Sequence, residues 1–202
     1  VAELRPLLIA TSNAGKLREV RAILQGLPVI LESLDDHSPH PEPVEDGATF
    51  EENAERKAVH YARLTGCWTL ADDSGLIVDA LGGAPGVHSA RYAGQHGNSA
   101  ANNAKLVKAL RGVPDSQRTA RFYCAAALAD PTRILCTTSG IWEGRIVDQA
   151  AGDHGFGYDP HFFVPDQGVT SAQMAPELKN RLSHRFRALA RMRQECQALL
   201  AV

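Results

Sequence analysis

The chain has 202 residues, 44% apolar and 22% charged, and 21 Lys and Arg against 23 Asp and Glu leave a formal charge of −2. That length buries a core without disulfides or metals, so one globular unit spanning residues 1–202 is expected. The charge excludes a general nucleic-acid binder; no apolar run reaches the ~20 residues of a membrane helix, and residues 1–10 lack the pattern of an export signal, so a cytoplasmic protein is expected.

Residues 7–10 are an apolar strand, stopped by the polar loop Thr11, Ser12, Asn13, Ala14, Gly15 and Lys16. Leu17, Val20, Ile23 and Leu24 then recur at helical spacing up to Gly26. Residues 29–31 form a second strand, and residues 35–47, rich in Pro, His and acid, form a surface loop of the length that often carries function. Thr49 and Glu52 make a capping box that opens a helix running to about Leu64, with Gly66 as its stop. Residues 68–71 are a buried strand that ends at a turn, Asp72-Asp73-Ser74-Gly75, with residues 76–78 continuing beyond it. A third helix covers 98–110, paired strands cover 121–129 and 134–138, a further strand covers 141–147, and a last helix covers 183–200. The alternation points to an α/β chain with a mixed sheet.

Cys67, Cys124, Cys136 and Cys196 are widely scattered, with no C-x-x-C pair and no His at zinc-like spacing. They read as buried free thiols of a reducing compartment.

Five places carry chemistry. The loop at 11–16 leaves a strand and opens a helix, so it presents backbone N–H groups, the positive end of a helix dipole and the Lys16 ammonium. It is a phosphate cradle or a plain turn with a solvated lysine. Lys57 falls only ~20° from Phe50 around its helix, sharing the face of Asn53, Ala54 and Tyr61, so its charge meets an anion or snorkels to water. Asp72 and Asp73 follow an apolar run, where they bind a hard cation, act as a base, or are a solvated turn. Gly155-Phe156-Gly157-Tyr158-Asp159-Pro160 offers an aromatic to stack on a base and a carboxylate to accept its N–H groups, or a glycine turn with core aromatics. Near the end, Lys179 and Ser183-His184-Arg185 add cations, and an arginine in a first helical turn opposes the dipole preference for acids.

Taken together, T-S-N-A-G-K at 11–16, E-D-G-A-T-F-E-E-N-A at 45–54 with Lys57, A-D-D-S-G-L at 71–76, G-G-A-P-G-V-H-S-A-R-Y at 82–92, G-F-G-Y-D-P at 155–160 and S-H-R at 183–185 resemble the inosine triphosphate pyrophosphatase family, also known as XTP/dITP diphosphatases. The resemblance covers nearly the whole chain. It implies an ITPase-like (Maf/ITPase) fold, an elongated mixed sheet with flanking helices in two lobes around a nucleotide cleft. It also implies a homodimer, Mg²⁺ dependence and hydrolysis of ITP, dITP and XTP.

Carried over by position, the resemblance implies that residues 11–16 hold the triphosphate, chiefly through Asn13 and Lys16. Glu45 and Asp73 would bind the metal, Asp73 would take the proton of the attacking water, Asp72 would accompany it and Lys57 would face phosphate. Ser74 would touch substrate, and Phe156 would stack on the base within a block that includes Gly157 and Tyr158. Asp159, Lys179, His184 and Arg185 would border the base edge, with Arg185, helped by Lys179, donating to the purine 6-oxygen and so rejecting ATP. A Maf-like pyrophosphatase and a nucleotide sensor without turnover are the rival readings.

Overall fold

The computed structural model describes residues 4–201, so the first three residues of the stretch read for an export signal lie outside the described residues. In chain order the elements are β1 (Arg5–Ile9), α1 (Ala14–Leu24), β2 (Val29–Ser33), α2 (Phe50–Thr65), β3 (Trp68–Val78), α3 (Ser99–Ala109), β4 (Thr119–Ala129), β5 (Ile134–Ile146), β6 (Phe162–Val164), β7 (Val169–Thr170), α4 (Pro176–Leu182) and α5 (His184–Leu200). The strands form one sheet in the order β2-β1-β3-β4-β5-β6-β7. β1 is parallel to both β2 and β3, while β6 is antiparallel to β5 and β7. The mixed α/β class expected from the alternation of elements is what is found.

The chain divides into two compact units. The first takes the chain through Asp73, then Cys124–Gly140, then Arg185 onward; the second takes Ser74–Tyr123 and Ile141–His184. Each has its own core. In the first, Leu7, Ile9 and Leu70 of the strands pack with Val20 and Leu24 of α1, Ala126 and Leu128 of β4, and Ala188, Leu189, Met192 and Cys196 of α5. In the second, Leu76 and Val78, Leu106 and Leu110, Phe122, Trp142, Ile146 and Phe162 form the cluster. Each fully buried Leu, Ile or Phe contributes about 1.5–3 kcal/mol to its unit.

Local rules explain most boundaries. Asn13 caps α1 by accepting from the Gly15 and Lys16 N–H groups. Thr49 accepts from the Glu52 N–H at the start of α2, and Glu52 reaches back to the Ala48 N–H, one residue beyond the usual capping-box partner. Gly66 ends α2 with φ of 75°, a left-handed conformation that glycine adopts without strain.

Three expectations are corrected. Asp72, Asp73 and Ser74 are not in a turn: β3 runs unbroken from Trp68 to Val78, because its place inside the sheet supplies ladder partners that outweigh the Asp-Ser-Gly turn preference. The strands read at 134–138 and 141–147 are one, β5, which passes through Ser139 and Gly140. The helix expected at 183–200 begins at His184, and a separate α4 precedes it, opened by Pro176 in its first turn and ended at Ser183, whose backbone is extended.

Burial pushes the thiol of Cys196 up to about 12 and that of Cys136 up to about 11, which keeps both neutral. All four cysteines are free, with Cys124 and Cys196 buried and Cys67 and Cys136 half-buried.

Candidate active site

In the first unit the strand order 2-1-3 makes the carboxyl end of β1 a switch point: the chain leaves β1 toward β2 on one side and later returns to β3 on the other. Ligand crevices of open α/β sheets form at such points. The loop from Thr11 to Gly15 sits there, and Lys16, in the first turn of α1, reaches Asp72 Oδ2 at 3.0 Å. Ser12, Asn13 and Ala14 are exposed and Thr11, Gly15 and Lys16 half-buried, so the loop that opens α1 borders solvent.

Asp72 and Asp73 are only 5% and 8% exposed. As neighbours in a strand they point to opposite faces, and their partners differ accordingly. Asp72 Oδ2 meets Lys16 and, at 3.4 Å, Arg185 Nε; Asp73 Oδ2 accepts from Asn53 Nδ2 at 3.0 Å. Asn53 also accepts the Gly47 N–H at 2.8 Å, which ties the end of the 35–47 loop to β3 through one buried amide. A Cβ on Gly47 would lie 2.6 Å from Asn53 Oδ1, so any larger residue there would displace that amide.

Lys57 forms an ion pair with Glu45 and lies 3.4 Å from the Asp72 carbonyl oxygen. Its burial opposes the charged form, but the charge and hydrogen bond of Glu45, helped by Asp72 and Asp73, outweigh it and hold the ammonium above the usual lysine range. Lys57 thus meets anions and does not snorkel to solvent. For Asp73 the balance runs the other way. Burial raises its carboxyl above the ordinary aspartate value, against the lowering effects of Asn53, Lys16 and Lys57.

Arg185 in the first turn of α5 is 2% exposed and bridges Asp72 and Glu19 of α1. Burial alone would disfavour its charge, but the two carboxylates more than offset this and push it above its ordinary value. The cation that contradicts the helix dipole is therefore held by internal acceptors.

Hard oxygen donors for a divalent cation are present in Glu45 and Asp73, and a cation there would offset the burial that raises Asp73. Two carboxylates completed by water and phosphate oxygen are the donor set Mg²⁺ commonly takes, so the residues fit that ion.

In the second unit the segment at 155–160 is a strapped loop. Asp159 accepts from the Phe156 N–H at 2.8 Å, from Lys179 Nζ at 2.6 Å and from Ser171 Oγ at 2.7 Å. Tyr158 donates its hydroxyl hydrogen to the Ser89 carbonyl at 2.7 Å, and Asn103 Nδ2 donates to the Gly157 carbonyl at 2.9 Å. Gly155, at φ of 77°, lies so close to the Asp159 carboxylate that a Cβ would collide with it. Phe156 is 37% exposed, and Lys179 Nζ lies 5.0 Å from its ring centroid. An exposed aromatic face thus stands beside a buried Lys–Asp pair. His184 is buried and stacks on Phe122 at 4.9 Å, while Ser74 is half-buried in β3.

The structure therefore gathers Lys16, Glu45, Lys57, Asp72, Asp73 and Arg185 in one unit, and Phe156, Gly157, Tyr158, Asp159 and Lys179 in the other. Glu19, Asn53, Ser171 and Asn103 support these groups and were not read from the sequence as functional. A polar Asn53 on the apolar face of α2 was the one available signal; nothing in the spacing of Glu19, Ser171 or Asn103 reveals contacts so distant in the chain.

The model of the Ham1 family matches residues 7–195. A dITP/XTP pyrophosphatase of Geobacter sulfurreducens is 55% identical over 184 residues, 91% of this chain and 92% of that protein. One of Pseudomonas aeruginosa is 54% identical over 95% of this chain and 97% of its own length. The solved structure of a HAM1 protein from Coxiella burnetii superposes with a TM-score of 0.87 at 39% identity, covering 98% of this chain and all of that one (100%).

Proposed function

The chain belongs to the Ham1 family, and we propose that it is a nucleoside triphosphate pyrophosphatase that converts the non-canonical purine nucleotides ITP, dITP and XTP to monophosphate and pyrophosphate. The observation that carries this reading is the cluster of two lysines and three carboxylates in the first unit, with Lys16 on Asp72 and Lys57 on Glu45. Attack of water on the α-phosphorus with departure of pyrophosphate needs positioning, charge neutralisation and a base.

In this reading Thr11, Ser12, Asn13, Ala14, Gly15 and Lys16 receive the triphosphate, with the positive end of the α1 dipole and the Lys16 ammonium facing its charge. Lys57 neutralises phosphate as the second lysine. Asp73 takes the proton of the attacking water, and the raised affinity of its carboxyl for a proton supports that role. Asp72 orients Lys16, and Ser74 contacts substrate. Mg²⁺ held by Glu45 and Asp73 would supply charge neutralisation at the phosphate oxygens and a more acidic water. Phe156 stacks on the base within the Gly157 and Tyr158 segment, and Asp159, Lys179, His184 and Arg185 read its edge. The exposed ring of Phe156 over the Asp159–Lys179 pair supports this half of the assignment.

We further place the enzyme in the cytoplasm as a homodimer acting on free nucleotides, with no nucleic-acid or membrane partner. Free thiols accord with a reducing compartment, and no helix among the described residues is long and apolar enough to cross a membrane. The test is pyrophosphate release from ITP with Mg²⁺, abolished by EDTA and restored by added Mg²⁺. Binding of ITP without pyrophosphate release would leave the sensor reading in its place.

A further inference from the structure

Outside this site, Glu32 of β2, His37 and Cys67 converge in the first unit. Among the described residues they are the one group of three His, Cys, Asp or Glu side chains whose ligand atoms all lie within 4.8 Å of one another. His37 Nε2 is 2.9 Å from Glu32 Oε2, and Cys67 Sγ is 4.0 Å from the same oxygen. All three are half-buried, sheltered but reachable by an ion.

The local fold holds them there. Asp36 Oδ2 accepts from both the Ser33 N–H and the Ser33 hydroxyl at 2.7 Å, closing the short turn at Leu34–Asp36 that delivers His37 beside Glu32. Gly66 reverses the chain after α2, and the Cys67 N–H donates to Thr65 Oγ1 at 3.3 Å, so that the thiol stands at the entrance of β3. One imidazole, one thiol and one carboxylate from three separate elements form a mixed N, S, O donor set. Hard cations such as Mg²⁺ do not select such a set, and borderline divalent ions such as Zn²⁺ do.

We propose that Glu32, His37 and Cys67 form a binding site for a borderline divalent transition-metal ion, Zn²⁺ by its donor chemistry, with water as fourth ligand. Bonds of about 2.0–2.3 Å at tetrahedral angles put ligand atoms about 3.3–3.8 Å apart, so side chains already within reach need only small adjustments. On binding, the Cys67 thiol releases its proton to solvent and its sulfur bonds the metal as thiolate. The ion ties β2 and the head of the 35–47 loop to the start of β3, bracing from its far end the loop that carries Glu45. It also gives the His-rich beginning of that loop a role.

The test titrates Co²⁺ alone into the reduced, metal-free full chain. One equivalent is expected to produce a thiolate-to-cobalt charge-transfer band that Zn²⁺ displaces and excess Mg²⁺ does not. Cys67→Ser should abolish the band, and His37→Gln or Glu32→Gln should weaken binding by at least the ~10- to 100-fold that loss of an outer-shell partner costs a metal site. Peptide-level alkylation should show Zn²⁺ protecting Cys67 selectively. No band, a band that survives Cys67→Ser, displacement by Mg²⁺, or protection of a different thiol overturns the site.

Discussion

The side-chain amide of Asn53, on α2, donates to Asp73 Oδ2 at 3.0 Å, joining two residues twenty positions apart in the chain. That bond stabilises the carboxylate form of Asp73 against the burial that raises it, so Asn53 helps set the pH at which the proposed base is ready. Asn53→Ala should move the acidic limb of the kcat profile to higher pH. An unmoved limb in an active, folded variant would separate Asp73 from the pH dependence.

Asp73→Asn should lose at least ~10²-fold in kcat, the usual share of a general base. Stability should move the other way. A carboxyl raised by folding binds its proton more tightly in the native state, so its charge opposes folding above that raised value and the opposition fades as pH falls through it. At neutral pH the variant should melt no lower than the parent, with the difference narrowing toward acid. Near-normal turnover would end the base assignment.

Lys57→Met keeps side-chain length and removes the charge, and from its helical position alone it is expected to weaken activity without lowering stability. The ion pair with Glu45 alters the second half of that expectation. Because folding raises the lysine, its contribution is complete below the unfolded lysine value and is lost only as pH rises through the higher folded one. The variant should therefore lose activity and also melt lower throughout the neutral range. Calorimetry at pH 7 checks this; unchanged melting with full activity would mean that the ammonium neither holds Glu45 nor meets phosphate.

Arg185→Met tests two roles at once. Leaving Asp72 and Glu19 without their shared cation should destabilise the fold by about 3–5 kcal/mol at neutral pH, with relief in acid as the carboxylates protonate. As a donor to the purine 6-oxygen, its removal should also lower catalytic efficiency on ITP far more than on ATP. A surviving ITP-to-ATP ratio alongside the stability loss would confine Arg185 to the carboxylate cluster. Lys179→Met would then become the variant in which the ratio should narrow.

Phe156→Ala should raise KM for ITP while leaving the melting temperature nearly unchanged, because the ring is 37% exposed and little of its area is lost from the core. Phe156→Trp should restore most of the affinity through stacking. Equal KM values for all three proteins would remove the ring from base recognition.

The sequence by itself determined the alternation of elements, the cap at Thr49 and the stop at Gly66, and it marked 11–16, 72–73 and 155–160 as candidates for chemistry, since these follow from periodicity, capping and turn chemistry acting over a few residues. Tertiary structure decided what those residues do to one another. The Asp-Ser-Gly turn preference lost to sheet pairing, which turned a presumed loop into the middle of β3 and sank both aspartates. The open choice at Lys57, anion or solvent, was settled by Glu45, and the misplaced charge of Arg185 was explained by Glu19 and Asp72, which lie 166 and 113 residues away in the chain. Helix dipoles and caps act within one turn and are written locally. A buried charge is stable only beside an opposite one, and where that partner lies is a property of the folded chain.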